Sequence, residues 1–103
     1  PNMLMAIHYY SEAGKRGNAT ALYTLGECYS YGHGVDKDIT MAFIQYMNAA
    51  LLDYKEATYK VANMYETGQG VDKNYSRAIL WYNKCLNYRD SQIRIKYCRV
   101  MVK

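Results

Sequence analysis

Residues 65–73 read YETGQGVDK, and residues 29–37, which lie 36 positions earlier, read YSYGHGVDK. Six of the nine positions are identical: the tyrosine, both glycines and the run Val-Asp-Lys. The same shift aligns residues 21–46 with 57–82, where 10 of 26 pairs are identical. Because a fixed period of about 20 to 50 residues is typical of stacked repeats, the sequence predicts a repeat architecture.

Two helical patterns recur within each period, because apolar residues lie three, four and seven positions apart, as on one face of a helix. The second pattern comprises Ile39, Ala42, Phe43, Tyr46, Ala49 and Ala50, with a later copy at Tyr75, Ala78, Ile79, Tyr82, Cys85 and Leu86 and an earlier one at Met3, Ala6, Ile7, Tyr10 and Ala13. The first comprises Ala21, Leu22, Leu25, Cys28 and Tyr29, then Ala57, Val61, Met64 and Tyr65, and a weaker copy at Ile93, Tyr97, Cys98 and Met101.

The residues at the predicted helix ends favour this interpretation. Asp38 and Asn74 precede the second helix of each period, and both residue types are good N-caps. Gly32 and Gly68 follow the first helix, where a left-handed backbone favours glycine. The first helices are expected to begin near Asn18, near Asp53 or Tyr54, and near Asp90. A phosphate-binding loop would need a preceding strand and a Lys-Ser or Lys-Thr pair after the second glycine, so we interpret the glycines as helix stops.

Composition and charge narrow the functional classes. The 103 residues suffice for one domain, and 50% of them are hydrophobic, so disorder is not expected. The net charge is +4, but the basic residues are spread along the chain up to the last fifteen positions, without the clustered stripe expected of a nucleic-acid partner. The longest strictly apolar run is AALL at 49–52, so we predict no membrane insertion.

Cysteines and histidines give no sign of a reactive centre. Cys28, Cys85 and Cys98 are odd in number and form no Cys-x-x-Cys pair, which favours buried thiols in a reducing, cytoplasmic setting; a Cys85–Cys98 bridge is the alternative. His8 and His33 belong to no metal-binding motif. Since no paired carboxylates share a helix face either, the sequence predicts no metal, no cofactor and no catalytic activity.

The two copies, ALYTLGECYSYGHGVDKDITMAFIQY at 21–46 and ATYKVANMYETGQGVDKNYSRAILWY at 57–82, resemble the Sel1-like repeat, a relative of the tetratricopeptide repeat. The shared features are small residues opening helix A, Leu-Gly and Tyr, the Gly-x-Gly-Val loop, the capping Asp, and an Ala and Trp-Tyr pair on helix B. The resemblance implies an all-α solenoid of antiparallel helix-turn-helix repeats. Departures are Ala62 and Asp53 for glycines, Gln45 for the tryptophan, and Arg94 at the position of Leu22.

This alignment predicts one array over residues 1–103, as a piece of a longer array. Its expected units are helix B of an upstream repeat at 1–17, repeat one at 18–53, repeat two at 54–89, and helix A of a partial third repeat at 90–103. Within the family, EATYKVANMYETGQG at 56–70 is similar to the helix A segment of fungal chitin synthase regulatory proteins.

The resemblance also implies where a partner would bind, because helix A lines the concave face of such solenoids. With the Leu-Gly and Tyr positions buried, the residues expected to face this groove are Thr20, Tyr23, Glu27, Ser30, Glu56, Tyr59, Asn63, Glu66, Gln92, Ile95 and Arg99. Their mixture of aromatic and charged side chains suits a protein or peptide segment. We therefore expect a non-catalytic scaffold or adaptor. The alternatives are a structural spacer within a longer protein, such as a chitin synthase regulatory protein, and, least favoured, a repeat-type enzyme.

Overall fold

The computed structural model describes residues 3–102, which form six α-helices and no strand. The helices are α1 Met3–Lys15, α2 Ala19–Tyr31, α3 Ile39–Ala50, α4 Lys55–Thr67, α5 Tyr75–Asn83 and α6 Ser91–Met101. Each packs against the next in chain order, and the array measures 46 × 23 × 18 Å. The predicted all-α solenoid is confirmed. Residues 1, 2 and 103, at the outer limits of the predicted units 1–17 and 90–103, lie outside the described residues.

Three helices begin at a side chain that satisfies a backbone N–H of the first turn, as predicted. The carboxamide or carboxylate oxygens of Asn18, Asp38 and Asn74 accept from the N–H three residues later, at 3.0, 3.0 and 2.9 Å. Tyr54 and Asp90 stand at the N-cap positions of α4 and α6 without such a bond. None of the helices within 3–102 is long and apolar enough to cross a bilayer.

The two glycines of each loop have different roles. The first ends its helix in the left-handed conformation, with φ of 73° in the first loop and 72° at Gly68. The second also has a positive φ, and it lets the loop rest on the preceding helix B: a Cβ on Gly70 would lie 2.5 Å from the Ile39 carbonyl oxygen. A Cβ on Gly34 would lie 3.0 Å from that of Met3. Each loop therefore packs its repeat against helix B of the preceding one.

Two tyrosines of helix B fill the seam with the preceding helix A. Tyr46 and Tyr82 are 1% and 0% exposed. Small residues surround them, and an added Cβ on Gly26 would lie 2.8 Å from the Tyr46 ring. The core that they share includes the fully buried Ala42, Ala49, Ala57, Ala62 and Ala78. Because the rings are large and the neighbouring residues are small, the helices approach closely around them.

The three cysteines are part of this interior. Cys28, Cys85 and Cys98 are buried and free, so the alternative of a Cys85–Cys98 disulfide is wrong. Burial raises the pKa of the Cys98 thiol to about 11, and it raises the pKa of Cys28 and Cys85 as well. Their thiols are therefore protonated at neutral pH and act as small apolar side chains.

Helix α6 departs from the apolar face predicted for it. Of that face, only Cys98 is buried, whereas Ile93 is 67% exposed. Ile93 occupies the position of Ala57, which is enclosed in the middle of the array, but α6 packs mainly against α5. Ile95, predicted to face the groove, is instead 4% exposed, because it lies one turn from Cys98 on the side of α6 that belongs to the buried core.

Candidate functional site

A cavity of about 190 Å³ lies across the helix A side of the array, at α2, α4 and the connection between α5 and α6. It is lined by Tyr23, Glu27, Glu56, Tyr59, Lys60, Asn63, Tyr88 and Arg89. Five of these, Tyr23, Glu27, Glu56, Tyr59 and Asn63, are predicted groove residues. Roomier depressions of about 300 to 390 Å³ lie elsewhere on the described surface. This cavity alone among those combines helix A residues of both repeats with aromatic rings and both signs of charge.

The repeat explains how these side chains come together. Tyr23 and Glu27 lie one turn apart on α2, and Tyr59 and Asn63 occupy the same two positions on α4. Since α2 and α4 are equivalent helices of consecutive repeats, their matching faces lie side by side. The lining residues that sequence reasoning missed are Lys60 on α4, and Tyr88 and Arg89, which precede α6.

The two groove tyrosines, Tyr23 and Tyr59, are half-buried and pack against neighbouring aromatic rings. The Tyr23 ring lies 5.4 Å from Tyr46 and from Tyr54, between centroids. The Tyr59 ring lies 5.6 Å from Tyr82 and 5.4 Å from Tyr88. One side of each ring therefore supports the core, and the other faces the cavity, as is suitable for a rigid contact surface.

In repeat one, the carboxylate beside the seam tyrosine lies at the cavity. The Tyr46 hydroxyl donates to Glu27 Oε2 at 2.6 Å, and the Lys60 ammonium lies 3.7 Å from the same oxygen. The Glu27 side chain keeps 29% of its surface exposed. Burial and the neighbouring Glu27 carboxylate raise the pKa values of Tyr46 and Tyr23 well above the usual value, so both hydroxyls remain donors.

In repeat two, the equivalent carboxylate is inside the protein, which corrects the prediction that Glu66 faces the groove. Glu66 is 3% exposed. Its Oε1 accepts from the Tyr82 hydroxyl at 2.7 Å and from Arg94 Nε at 3.1 Å, and its Oε2 pairs with the same guanidinium. Asn63 Nδ2 donates to the Tyr82 oxygen at 3.1 Å. Because these partners satisfy the carboxylate, it can lie in the core.

The rim of the cavity is formed by residues that join α5 to α6. The Tyr59 hydroxyl donates to Asp90 Oδ1 at 2.5 Å, and this bond takes the place of a helix cap by Asp90. Burial, with the hydrogen bond to Asp90, raises the pKa of Tyr59 to about 12. The exposed Arg89 has its guanidinium 5.4 Å from the Tyr88 ring centroid and 6.0 Å from that of Tyr59.

The remaining predicted groove residues lie outside this cavity. Thr20, Gln92 and Arg99 are exposed, and Ser30 is half-buried. The Gln92 side chain donates to the Leu86 carbonyl at 3.3 Å and so is engaged by the preceding connection. Within residues 3–102, no three His, Cys, Asp or Glu side chains are placed to hold a metal ion.

The model of the Sel1 repeat matches residues 1–18, 19–44 and 55–84, which is most of the chain. The chain belongs to the Sel1 repeat family. Sel1 repeat proteins generally act as protein-interaction scaffolds, and the family is typically non-catalytic. No curated protein matches the chain. The comparisons give no support to the chitin synthase regulator branch.

Solved structures agree with this assignment. A Sel1 repeat protein from Oxalobacter formigenes is 30% identical over 91% of the chain, with a TM-score of 0.85. A protective antigen of uropathogenic Escherichia coli strains, which displays an SLR fold, is 25% identical over 96%, with a TM-score of 0.90. Helicobacter pylori cysteine rich protein B is 26% identical over 84%, with a TM-score of 0.78. The Sel1 chain spans 40%, 22% and 66% of these proteins, respectively.

Proposed function

We propose that this Sel1 array is a non-catalytic adaptor that binds a segment of a protein partner across the helix A face. The observation that carries the proposal is the cavity, which brings together Tyr23, Glu27, Glu56, Tyr59 and Asn63 from two repeats. A peptide laid across α2 and α4 would meet all five. Stacked repeats commonly use such extended surfaces for binding.

The chemistry of the lining supports a peptide ligand. Tyr23 and Tyr59 offer apolar ring faces that are already held in place by their neighbours, so little side-chain entropy is lost on binding. Glu56 and Asn63 add an acceptor and a carboxamide beside them. Rigid aromatic anchors with polar groups at their edges are typical of protein interfaces.

The first test is a double substitution at the cavity. We expect Tyr23→Ser with Tyr59→Ser to abolish partner capture from an extract of the source organism. Because both rings also pack against the seam tyrosines, circular dichroism and thermal melting of the double variant must show that it remains folded. Unfolding of the double variant would mean that the two rings serve the core, as a structural spacer requires.

A photo-crosslinking amino acid avoids the folding problem. Placed at Thr20, which is exposed on α2 one turn before Tyr23 and outside the cavity lining, it should label the partner that the wild-type array captures. Placed at Leu80, which is 62% exposed on α5, it should not. Equal labelling from both positions, or labelling from Leu80 alone, would contradict binding on the helix A face.

A further inference from the structure

A cation of the protein itself, the Arg89 guanidinium, lies beside two aromatic rings of the cavity, which the adaptor role alone does not require. The Arg89 guanidinium lies near the rings of Tyr88 and Tyr59, which themselves pack edge to face at 5.4 Å. Tyrosine faces attract cations through the ring quadrupole, and clustered aromatic rings are a known means of binding cationic ligands. Within the described residues, no carboxylate pairs with the exposed Arg89, whose guanidinium lies beside these two rings instead.

Arg89 reaches this place from a backbone conformation that its residue type disfavours. Its φ is 51°, in the left-handed region, where glycine, asparagine and aspartate are the usual residues. Asp53, the equivalent residue of repeat one, has φ of 64°. The fold therefore needs the left-handed turn in both repeats, but it does not need a cation there. Strained positions of this kind are often found at functional sites.

The acidic groups around the rings complete the pattern. Glu27 is engaged by Tyr46 and Lys60, and Asp90 by Tyr59. Glu56 lines the same cavity and makes no hydrogen bond or ion pair with the described residues. If Arg89 moved aside, the lining would hold two carboxylates and one ammonium, beside two uncovered tyrosine faces.

We propose that the cavity receives a lysine or arginine side chain of the partner segment, with the cation on the faces of Tyr59 and Tyr88 and with Glu56 as its ion-pair partner. In the free protein, Arg89 occupies this place, and the incoming cation displaces it into solvent. This inference rests on the proposed binding of a protein segment to the helix A face, and it defines which residue type that segment must present.

End-capped pentapeptides with the core Gly-Ser-X-Ser-Gly test the charge requirement, where X is arginine, lysine, norleucine or glutamate. They are titrated into the uniformly ¹⁵N-labelled chain, and the amide signals of α4 and of residues 86–92 are followed. We expect saturable shifts with the arginine and lysine peptides only. Preference for the glutamate or norleucine peptide, or the absence of shifts with all four, would overturn the proposal.

Two charge-neutralising variants test the roles of individual residues. Arg89→Gln should bind the arginine peptide about threefold more tightly, because it removes a competing cation from the rings. Glu56→Gln should bind it about threefold more weakly, the scale of one exposed ion pair. Asp53→Asn, at the equivalent turn of repeat one, is the matched control and should leave the affinity unchanged.

The opposite response of Arg89→Gln would decide against the proposal. If this variant binds the arginine peptide more weakly, Arg89 does not compete with the incoming cation. If it loses binding of the glutamate peptide that the wild type shows, Arg89 is itself the anchor, and the ligand is an anion. The crosslink at Thr20 separates this failure from that of the adaptor role. A retained crosslink without peptide binding would leave a partner surface on the helix A face but no cation pocket.

Discussion

Repeats one and two share a buried tyrosine but differ in where the carboxylate beside it lies. Tyr46 donates to Glu27, which is partly exposed at the cavity, whereas Tyr82 donates to Glu66, which is buried. By the repeat alignment, Glu66 lies one helical turn beyond the position of Glu27, whose place in repeat two is taken by Asn63. A shift of one turn thus moves a carboxylate from the groove into the core.

The next helix A supplies the cation that makes either position stable. Lys60 of α4 reaches Glu27 from the surface, at 3.7 Å. Arg94 of α6 reaches Glu66 with two nitrogens of its guanidinium, which suits a buried carboxylate better than a lysine would. The same repeat can therefore hold this carboxylate at the cavity or in the core, according to the cation that the following helix A supplies.

The largest effect should come from removing the seam tyrosines. Tyr82→Ala should lower the free energy of unfolding by about 3–5 kcal/mol, the range for large aromatic truncations in a core. Tyr46→Ala should cost less, because Glu27 can turn to water when its hydrogen bond is lost, whereas Glu66 cannot. Urea denaturation of both variants measures this. Equal losses would show that the position of the carboxylate has no energetic consequence.

Removing the two cations should destabilise the repeats to different extents. Arg94→Met leaves Glu66 buried with one hydrogen bond and no counter-charge, so it should cost about 3 kcal/mol. Lys60→Met should cost about 1 kcal/mol or less, as for other exposed pairs. Adding Glu66→Gln to Arg94→Met should restore part of the loss. If Lys60→Met destabilises the chain as much as Arg94→Met, the contrast between the repeats is wrong.

The loop glycines offer a second comparison. Gly70→Ala should cost about 2–3 kcal/mol, since it combines a left-handed backbone with a close approach to the Ile39 carbonyl. Gly34→Ala should cost less, because its closest backbone contact, the Met3 carbonyl oxygen, lies at 3.0 Å instead of 2.5 Å, and the Ile7 side chain at 2.9 Å can shift. Thermal melting of both variants provides the measurement. A Gly70→Ala protein that melts with the wild type would show that the loop is free to move.

The smallest effect is expected from alkaline pH. Burial holds the pKa of Tyr59 at about 12, above the usual value near 10, and raises those of Tyr46 and Tyr82 further in the same direction. The unfolded chain therefore loses these protons first, so the stabilisation present below about pH 10 should decline as pH rises toward 12. Melting temperatures between pH 9 and about 11.5 should fall, and less steeply in Tyr82→Phe.

The sequence was sufficient for the features that the repeat dictates. The period, the helix-stop glycines, the caps at Asp38 and Asn74 and the equivalent phase of Tyr46 and Tyr82 all follow from local backbone preference and apolar spacing. Those features need no knowledge of distant contacts. The helix A positions around Tyr23 and Tyr59 were instead implied by the resemblance to the Sel1-like repeat, in which helix A lines the concave face.

Features that depend on pairs of side chains from different repeats could not be predicted in this way. In the sequence, Glu66 and Arg94 each look like surface residues. Only their ion pair explains why Glu66 is buried and why an arginine stands at position 94, where repeat one has Leu22. Tyr88 and Arg89 lie outside the helical pattern, so periodicity said nothing of them. A signal was present in Arg89, however, since it shares with Asp53 a position where the family favours glycine.

The ion pair between Glu66 and Arg94 has a consequence for how the array opens. Within the described residues, Arg94 of α6 is the only cation paired with Glu66, the carboxylate buried on α4. Detaching α6 would therefore leave a buried negative charge without its counter-charge. Fraying of the last helix should therefore carry repeat two with it, instead of ending at the repeat boundary. In amide hydrogen exchange, α4 and α6 should share one opening free energy, while α1, whose Glu12–Lys15 pair is exposed and lies within one helix, should open at lower cost.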